Sequence, residues 1–472
     1  MGFYSRCVPD QNSVFQKPLE DTLRYALAHL GNLDSAPVGS TATLDTLRSR
    51  LDKPLTAEGI AAEQVIAEMV HDVEGGILGS AGGRFFGWVV GGSLPAALAA
   101  DWMTAAWDQN AALYACGPAA AVVEEVAGKW LKEILGLPAS ASFALVSGCQ
   151  MAHATCLAAA RHSLLAKRGW DVERNGLYGA PSIRILSSGQ KHGSIERAVR
   201  LLGLGSANVI DLPPHPDSLE QALAAEPARP AIVLLQAGDI NTGGYDPFER
   251  LIPIAKRHAA WVHVDGAFGL WAAASPRYRH LLAGVEHADS WATDGHKWLN
   301  VPFDCGYAFI ADAEAHRASM SHRAAYLVHD ADARDQIDWN PEWSRRARGF
   351  PTYAALRQLG RDGVAELVER SCMHASSLVE KIGRLPGVEV LWEPVINQGL
   401  VRFPDPRVDA TAQDHDRRTD QVIAGIMATG EAFFGGTAWR GRRAMRVSVC
   451  SWQTSDEDVS RAVNAVARAL AD

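Results

Sequence analysis

Residues Phe248 to Gly269 read "FERLIPIAKRHAAWVHVDGAFG". The first half carries apolar residues at helical spacing, and the second is a short apolar run that ends at an aspartate, Asp265. A helix feeding a buried strand is one unit of an α/β domain, and the alternation continues in both directions. Upstream lie the apolar runs "FALVS", "IRILSS" and "AIVLLQA" with the helical stretch "HATCLAAARHSLLAKR" between the first two; downstream lies "CGYAFI". These runs predict an α/β domain with a largely parallel sheet over residues 76–345. Residues 1–75 read as an N-terminal helical arm, from "PLEDTLRYALAHLGNL" and "AEGIAAEQVIAEMVHDV". Over residues 346–472, helical "YAALRQLGRDGVAELVERSCMHASSLVEKIGRL" precedes strand-like "VEVLWE", "QGLVRF" and "RAMRVSVC", which predicts a smaller α+β domain.

With 472 residues and 47% hydrophobic composition, the chain can bury a large core. A formal net charge of −9 gives no broad basic field, and the arginine clusters at Arg345 to Arg348 and Arg440 to Arg446 are short, so nucleic acid is not an expected partner. The 7 cysteines are scattered and odd in number, and form no CxxC pair or zinc spacing; they read as reduced thiols of a cytoplasmic protein. The first residues, "MGFYSRCVPDQNSVF", lack an apolar core, and Arg6 stands where a myristoylation signal needs Ser or Thr; neither export nor a lipid anchor is expected. The most apolar region, "WVVGGSLPAALAADW", is interrupted by glycines and a proline and is too short to span a bilayer, so no membrane partner is expected.

In open α/β sheets ligands collect at the carboxyl ends of the strands, which directs attention to the polar residues after each apolar run. Four places answer. In "FALVSGCQMAHATCLAAAR" a Ser147-Gly148 turn opens a helix whose first amides, from Cys149 to Ala152, make a phosphate cradle or an ordinary strand-turn-helix junction. In "ILSSGQKHGSIERA" His192 either caps the next helix or lays its ring on a flat cofactor. Asp265 must be paired, by a cap or by a cation, because an unpaired carboxylate is costly at a strand end. His263, two residues earlier, raises a metal pair, but no third ligand has a supporting spacing, and no metal is expected. In "ATDGHKWLN" Lys297 is either a solvated lysine or, in a desolvated crevice, a Schiff-base nucleophile. A phosphate cradle, a stacking histidine, a carboxylate for a protonated pyridine nitrogen and a Schiff-base lysine are the parts that pyridoxal 5'-phosphate requires.

The wording and order of "SSGQKHGSIERA", "GDINTGGYDPF", "WVHVDGAFG" and "DGHKWLNVPFDCG" resemble the group II pyridoxal-phosphate decarboxylases, the family of aromatic-L-amino-acid, histidine, glutamate and cysteine-sulfinate decarboxylases. The likeness runs from about Arg84 to "RVSVCSWQTSDEDV". It implies a fold-type I enzyme: an aspartate-aminotransferase-like large domain with a mainly parallel seven-stranded sheet, and a small C-terminal domain. It also implies a homodimer, the N-terminal arm packing on the second subunit and the active site lying at the interface. Carried onto this chain, the resemblance makes Lys297 the Schiff-base lysine, Asp265 the partner of the pyridine nitrogen and His192 the stacking ring. His296 and Asp294 become cofactor contacts, and Met151 and Ala152 fall where the family's phosphate-binding amides lie.

Family decarboxylases carry a tyrosine on a mobile loop after the lysine, and "YLVHDADARDQIDW" resembles that segment, with Tyr326 in the proton-donor position. In the family, loss of this hydroxyl diverts the reaction to oxygen and yields aldehydes, so its presence implies simple decarboxylation. The chain departs from better-known members at "GDINTG", where Ile240 flanked by Asp239 and Asn241 replaces a common threonine, and at Asp294, where an asparagine commonly stands. "GGRFFGWVVGGS" offers Phe85, Phe86 and Trp88 as core or as substrate pocket. With Phe86 and Trp88 in the pocket, an aromatic L-amino acid is the expected substrate, and no arginine position clearly marks an acidic side chain. Aldehyde synthesis, carbon-carbon cleavage and a catalytically silent binding subunit stand as the alternatives.

Overall fold

The computed structural model of the chain describes residues 11–189, 191–322 and 333–471. In chain order the strands are β1 (Phe85–Phe86), β2 (Ser142–Val146), β3 (Arg184–Ser187), β4 (Val209–Asp211), β5 (Ala231–Gln236) and β6 (Trp261–Asp265). They continue with β7 (Ser290–Asp294), β8 (Gly306–Ile310), β9 (Glu389–Trp392), β10 (Gln398–Arg402), β11 (Phe433–Trp439) and β12 (Arg442–Ser448). A seven-stranded sheet has the order β2-β8-β7-β6-β5-β3-β4, and a five-stranded sheet the order β1-β11-β12-β10-β9.

The large sheet is parallel throughout except for β8, which runs antiparallel to both β2 and β7. Its strands read as unbroken apolar runs because both faces are covered. Along β5, Val233 and Leu235 join one core cluster, while Ile232 and Leu234 join the cluster on the opposite face. That two-residue period is the pleat of a strand. The helix Cys149–Ala166 lies in the second cluster, where small residues such as Ala152, Cys156, Ala159 and Ala160 let it sit close to the sheet.

Three helices, Gln11–Asn32, Leu44–Leu51 and Ala62–Asp72, occupy the N-terminal segment. Arg84 ties this segment to the C-terminal one: its buried guanidinium donates to the carbonyls of Asp34, Ala36 and Glu431. Phe85 and Phe86, within the span expected to belong to the large domain, form β1 at the edge of the small sheet, parallel to β11. Apolar content rather than local pattern explains this: Phe86 is fully buried and stacks on Phe434 at 5.2 Å. The long helix Gly349–Gly383 is interrupted at Gly360, where φ is +63°, a conformation open to glycine. Among the described residues no helix is long and apolar enough to cross a membrane.

Candidate active site

Because β2, β3, β5, β6 and β7 share one direction, their carboxyl ends open on one crevice. β6 delivers Asp265, which is buried. Its Oδ1 accepts from the Ala267 amide at 3.1 Å, while its Oδ2 is buried with no hydrogen-bond partner among the described residues. Burial raises the Asp265 carboxyl, and the Lys297 charge opposes that shift.

β7 runs on to Asp294, because Thr293 and Asp294 pair with Tyr307 and Gly306 of β8. Asp294 therefore stands at the strand end, and Lys297 follows one turn later. Lys297 Nζ lies 2.9 Å from Asp294 Oδ2, and Asp294 Oδ1 accepts from the Cys149 amide at 2.6 Å. Burial works against the Lys297 ammonium, but Asp294 outweighs it and lifts the group above the ordinary lysine range. Burial likewise opposes the Asp294 carboxylate, which Lys297 and His296 hold below its usual range.

The helix starting at Cys149 contributes its N-terminus. The amides of Met151 and Ala152 both donate to the Gly148 carbonyl, at 2.9 and 3.0 Å, so the expected pair is used inside the helix. The amides that precede this ladder are those of Cys149 and Gln150. The close approach here needs glycine: a Cβ on Gly306 would stand 2.5 Å from Gly148 Cα and 2.8 Å from Asp294 Oδ1.

His296 faces the same end. Its Nδ1 accepts from the Cys305 amide at 3.2 Å, its Nε2 lies 3.7 Å from Asp294 Oδ2, and its ring stacks on Phe303. His192 caps the helix Gly193–Leu201, Nδ1 accepting from the Ser194 amide at 3.2 Å. The cap leaves the ring free: it is close enough to Asp265, Lys297 and Asp294 to feel their charges, and burial lowers its pKa. The capping and cofactor readings of His192 are thus compatible.

Of the two proposed pocket residues, Phe86 belongs to the core of the small domain and has no surface to offer a substrate. Trp88 is 53% exposed and packs against Phe85 and Phe433, at 5.8 and 5.4 Å between ring centroids. The same stretch braces the lysine: a Cβ on Gly91 would fall 1.8 Å from the Lys297 carbonyl oxygen. Asp239 of "GDINTG" closes its own turn, accepting from the amides of Asn241, Thr242 and Gly244. Tyr326 lies outside the described residues.

Two residues escaped the sequence reading. Arg446, on β12, is buried, has no carboxylate within ion-pair distance among the described residues, and lies close enough to His192 for its charge to be felt there. Burial brings its guanidinium down to about 10. An arginine between Met445 and Val447 on an apolar strand was the available signal. His153, one turn and more into the helix, points Nε2 at Asp265 Oδ2 from 3.7 Å and hydrogen-bonds His263 through Nδ1. Cys149, His153 and Asp265 each bring a potential metal-ligating atom within 4.8 Å of the others, a grouping that sequence spacing did not show.

Such a site, on a sheet of this order, is that of a pyridoxal-phosphate-dependent decarboxylase. The family model described as pyridoxal-dependent decarboxylase conserved domain matches residues 46–404, and the chain belongs to that family. It is 24% identical over 445 residues to an aromatic-L-amino-acid decarboxylase of Bacillus atrophaeus, covering 91% of this chain and 90% of that one. It is 26% identical over 344 residues to a phenylacetaldehyde synthase of Petunia hybrida, covering 70% and 68%. In fold it matches the crystal structure of Oryza sativa TDC with PLP and tryptamine, with a TM-score of 0.91, 23% identity and 99% of each chain covered. The chain is a carboxy-lyase of fold type I, and pyridoxal phosphate is its cofactor.

The residues present fit that cofactor. A buried carboxylate oxygen without a donor among the described residues would suit a protonated ring nitrogen, a helix N-terminus would suit a phosphate, and a lysine lies beside them.

Proposed function

We propose that the enzyme decarboxylates an aromatic L-amino acid to its amine, with Lys297 forming the Schiff base. The observation that carries this reading is Lys297 Nζ itself, partly buried just past the end of β7 and in the field of both Asp294 and Asp265. Pyridoxal phosphate, when bound, supplies the electron sink for the charge left as carbon dioxide departs. Every other task falls to side chains of the chain. Asp265 Oδ2 would accept a hydrogen bond from the protonated ring nitrogen and so keep the ring electron-poor. The Gln150 amide at the helix N-terminus, with His296, would face the phosphate, the Cys149 amide being held by Asp294, and the His192 ring would cover the cofactor. A proton leaving Lys297 has Asp294 as its first acceptor at 2.9 Å. Arg446 is the one buried cation here without a partner among the described residues, and it orients the substrate carboxylate. Tyr326 returns a proton to the α-carbon.

Three observations support the aromatic class. The relative from Bacillus atrophaeus and the bound amine of the Oryza sativa structure are aromatic by name. Trp88 offers a half-exposed indole on an aromatic base of Phe85 and Phe433. The likeness to a phenylacetaldehyde synthase keeps oxidative aldehyde formation as a second reading. Tyr326 speaks for the proton-return outcome.

A homodimer is part of the same proposal. Helix Gln11–Asn32 exposes Phe15, Leu19, Leu23 and Leu27, an apolar stripe four residues apart with no cover in the single chain. The buried free thiols Cys149, Cys156, Cys305, Cys372 and Cys450 support a reducing, cytoplasmic setting. The test is a panel of L-amino acids offered to the cofactor-loaded enzyme while carbon dioxide, amine and peroxide are measured. Amine matching carbon dioxide from tryptophan, tyrosine or phenylalanine is expected. Aldehyde with peroxide would move the enzyme to the oxidative reading, and release from acidic substrates alone would overturn the aromatic assignment.

A further inference from the structure

Behind Asp265 lies a chain of buried polar groups that the reaction above does not use. Trp261 Nε1 donates to Ser290 Oγ at 2.9 Å; Ser290 Oγ is 2.9 Å from His263 Nδ1; His263 Nε2 is 2.9 Å from His153 Nδ1. The two imidazole planes meet at 90°. The chain ends at His153 Nε2, which is buried with no hydrogen-bond partner among the described residues and faces the equally unpartnered Asp265 Oδ2 at 3.7 Å. Two buried orphan atoms pointed at each other are uncommon, since each forfeits the solvation of a polar group.

The direction of the protons follows from what each group can do. Burial brings both histidines down to about 3, so each is neutral and carries one N–H. With the Trp261 N–H directed at Ser290 Oγ, the serine hydroxyl is free to donate to His263 Nδ1. The His263 proton then sits on Nε2 and points at His153 Nδ1, which leaves the His153 proton on Nε2, toward Asp265. The reverse polarity would set a lone pair of His153 against a carboxylate oxygen.

We propose that His153 is a positioning residue for Asp265, donating its Nε2–H to Oδ2 and so favouring the proton shared with the cofactor's ring nitrogen on the nitrogen. The inference rests on the assignment of Asp265 as the ring-nitrogen partner. A carboxylate that accepts a second hydrogen bond is a weaker base, so a proton lying between it and a pyridine nitrogen moves toward the nitrogen. The electron-withdrawing form of the ring is the result. Asp265 is surrounded by the Ala267 amide from its own loop, Lys297 from the loop after β7, His192 from the loop after β3, His263 from its own strand and His153 from the helix. Of these, His153 faces Oδ2 with a ring nitrogen at 3.7 Å, and the Cys149 thiol lies within 4.8 Å of both residues. A contraction of about 1 Å on cofactor binding brings the pair within hydrogen-bond range.

The test is the 15N chemical shift of pyridoxal phosphate enriched at its ring nitrogen, bound to the wild-type enzyme and to His153→Leu, His153→Gln and Ser290→Ala. Wild type should show a protonated nitrogen at neutral pH. His153→Leu should move the signal toward neutral pyridine and weaken cofactor binding by about tenfold. His153→Gln keeps a side-chain N–H and should recover most of the wild-type shift. Ser290→Ala loses a single oxygen and keeps both rings, so it serves if the leucine variant does not fold; it should move the signal the same way by a smaller amount. A wild-type signal in both His153→Leu and Ser290→Ala, or in Ser290→Ala alone where His153→Leu does not fold, overturns the inference. So does a glutamine variant that matches the leucine one. A wild-type ring nitrogen that is unprotonated, or whose protonation is unchanged in Asp265→Asn, overturns the assignment of Asp265 instead.

Discussion

Asp294 shows how much one side chain sets at this site. Where better-known relatives of the group II type carry an amide, this chain places a carboxylate that touches both the helix N-terminus and Lys297. Its charge holds Lys297 protonated, and a protonated amine does not attack a carbonyl. Asp294→Asn should therefore let Lys297 deprotonate at lower pH. Cofactor capture by the cofactor-free protein, followed by absorbance in stopped flow, should shift its pH dependence downward; an unchanged profile would remove Asp294 from control of the lysine. Arg446 belongs to the same scale. Arg446→Gln should raise KM for the amino acid by about ten- to a hundredfold, the worth of a charged hydrogen bond, with a smaller fall in kcat. Equal losses in affinity for the substrate and for its amine product, which lacks the carboxylate, would contradict that role. Asp265, Lys297 and His192 were legible in the sequence because each follows an apolar run. Arg446 was passed over: its place on an apolar strand was visible, but that it lacks a carboxylate partner among the described residues emerges only in the tertiary structure.

At the scale of elements, the site depends on close backbone approaches as much as on side chains. Gly91 and Gly306 sit where no Cβ fits, the first against the Lys297 carbonyl and the second against Gly148. Gly91→Ala should displace the lysine turn, lowering cofactor retention along with the melting temperature, by about 1–3 kcal/mol of stability. Full retention of cofactor with an unchanged melting temperature would show that the turn can give way. The strands β2, β3, β5, β6 and β8 were readable from their apolar runs, while β7 closes on the polar Thr293 and Asp294, still paired to β8. Of the amides read as a phosphate cradle, from Cys149 to Ala152, those of Met151 and Ala152 enter the helix ladder and that of Cys149 meets Asp294. Which amides stay free depends on the residue at which a helix begins, and boundaries are the least legible feature of a sequence. β1 was not legible as part of the small sheet, since two phenylalanines carry no sign of which sheet they will join.

Across the whole molecule, buried histidines set the acid limit of stability. His153, His263 and His316 are each brought down to about 3 by burial, from an ordinary 6.5. Below pH 6.5 the unfolded chain takes up protons that the folded chain refuses, so stability is full above that pH and is lost progressively as pH falls toward 3. Each group contributes a slope of about 1.4 kcal/mol per pH unit in that window. Urea unfolding at steps from neutral to mildly acidic pH should show the decline, and a flat profile would contradict it. The division into arm, large sheet and small sheet was legible in outline; the long-range ties that fix it, such as Arg84 reaching Asp34 and Glu431, were not.

The measurement that bears most directly on the reading of the whole site is borohydride reduction of the cofactor-loaded enzyme, followed by digestion and mass spectrometry. Reduction fixes a Schiff base as a stable secondary amine. The pyridoxyl mass should appear on the peptide that contains Lys297 and be absent from Lys297→Ala. Its appearance on another lysine, or on none while cofactor remains bound, would contradict the assignment of Lys297 and the site built around it.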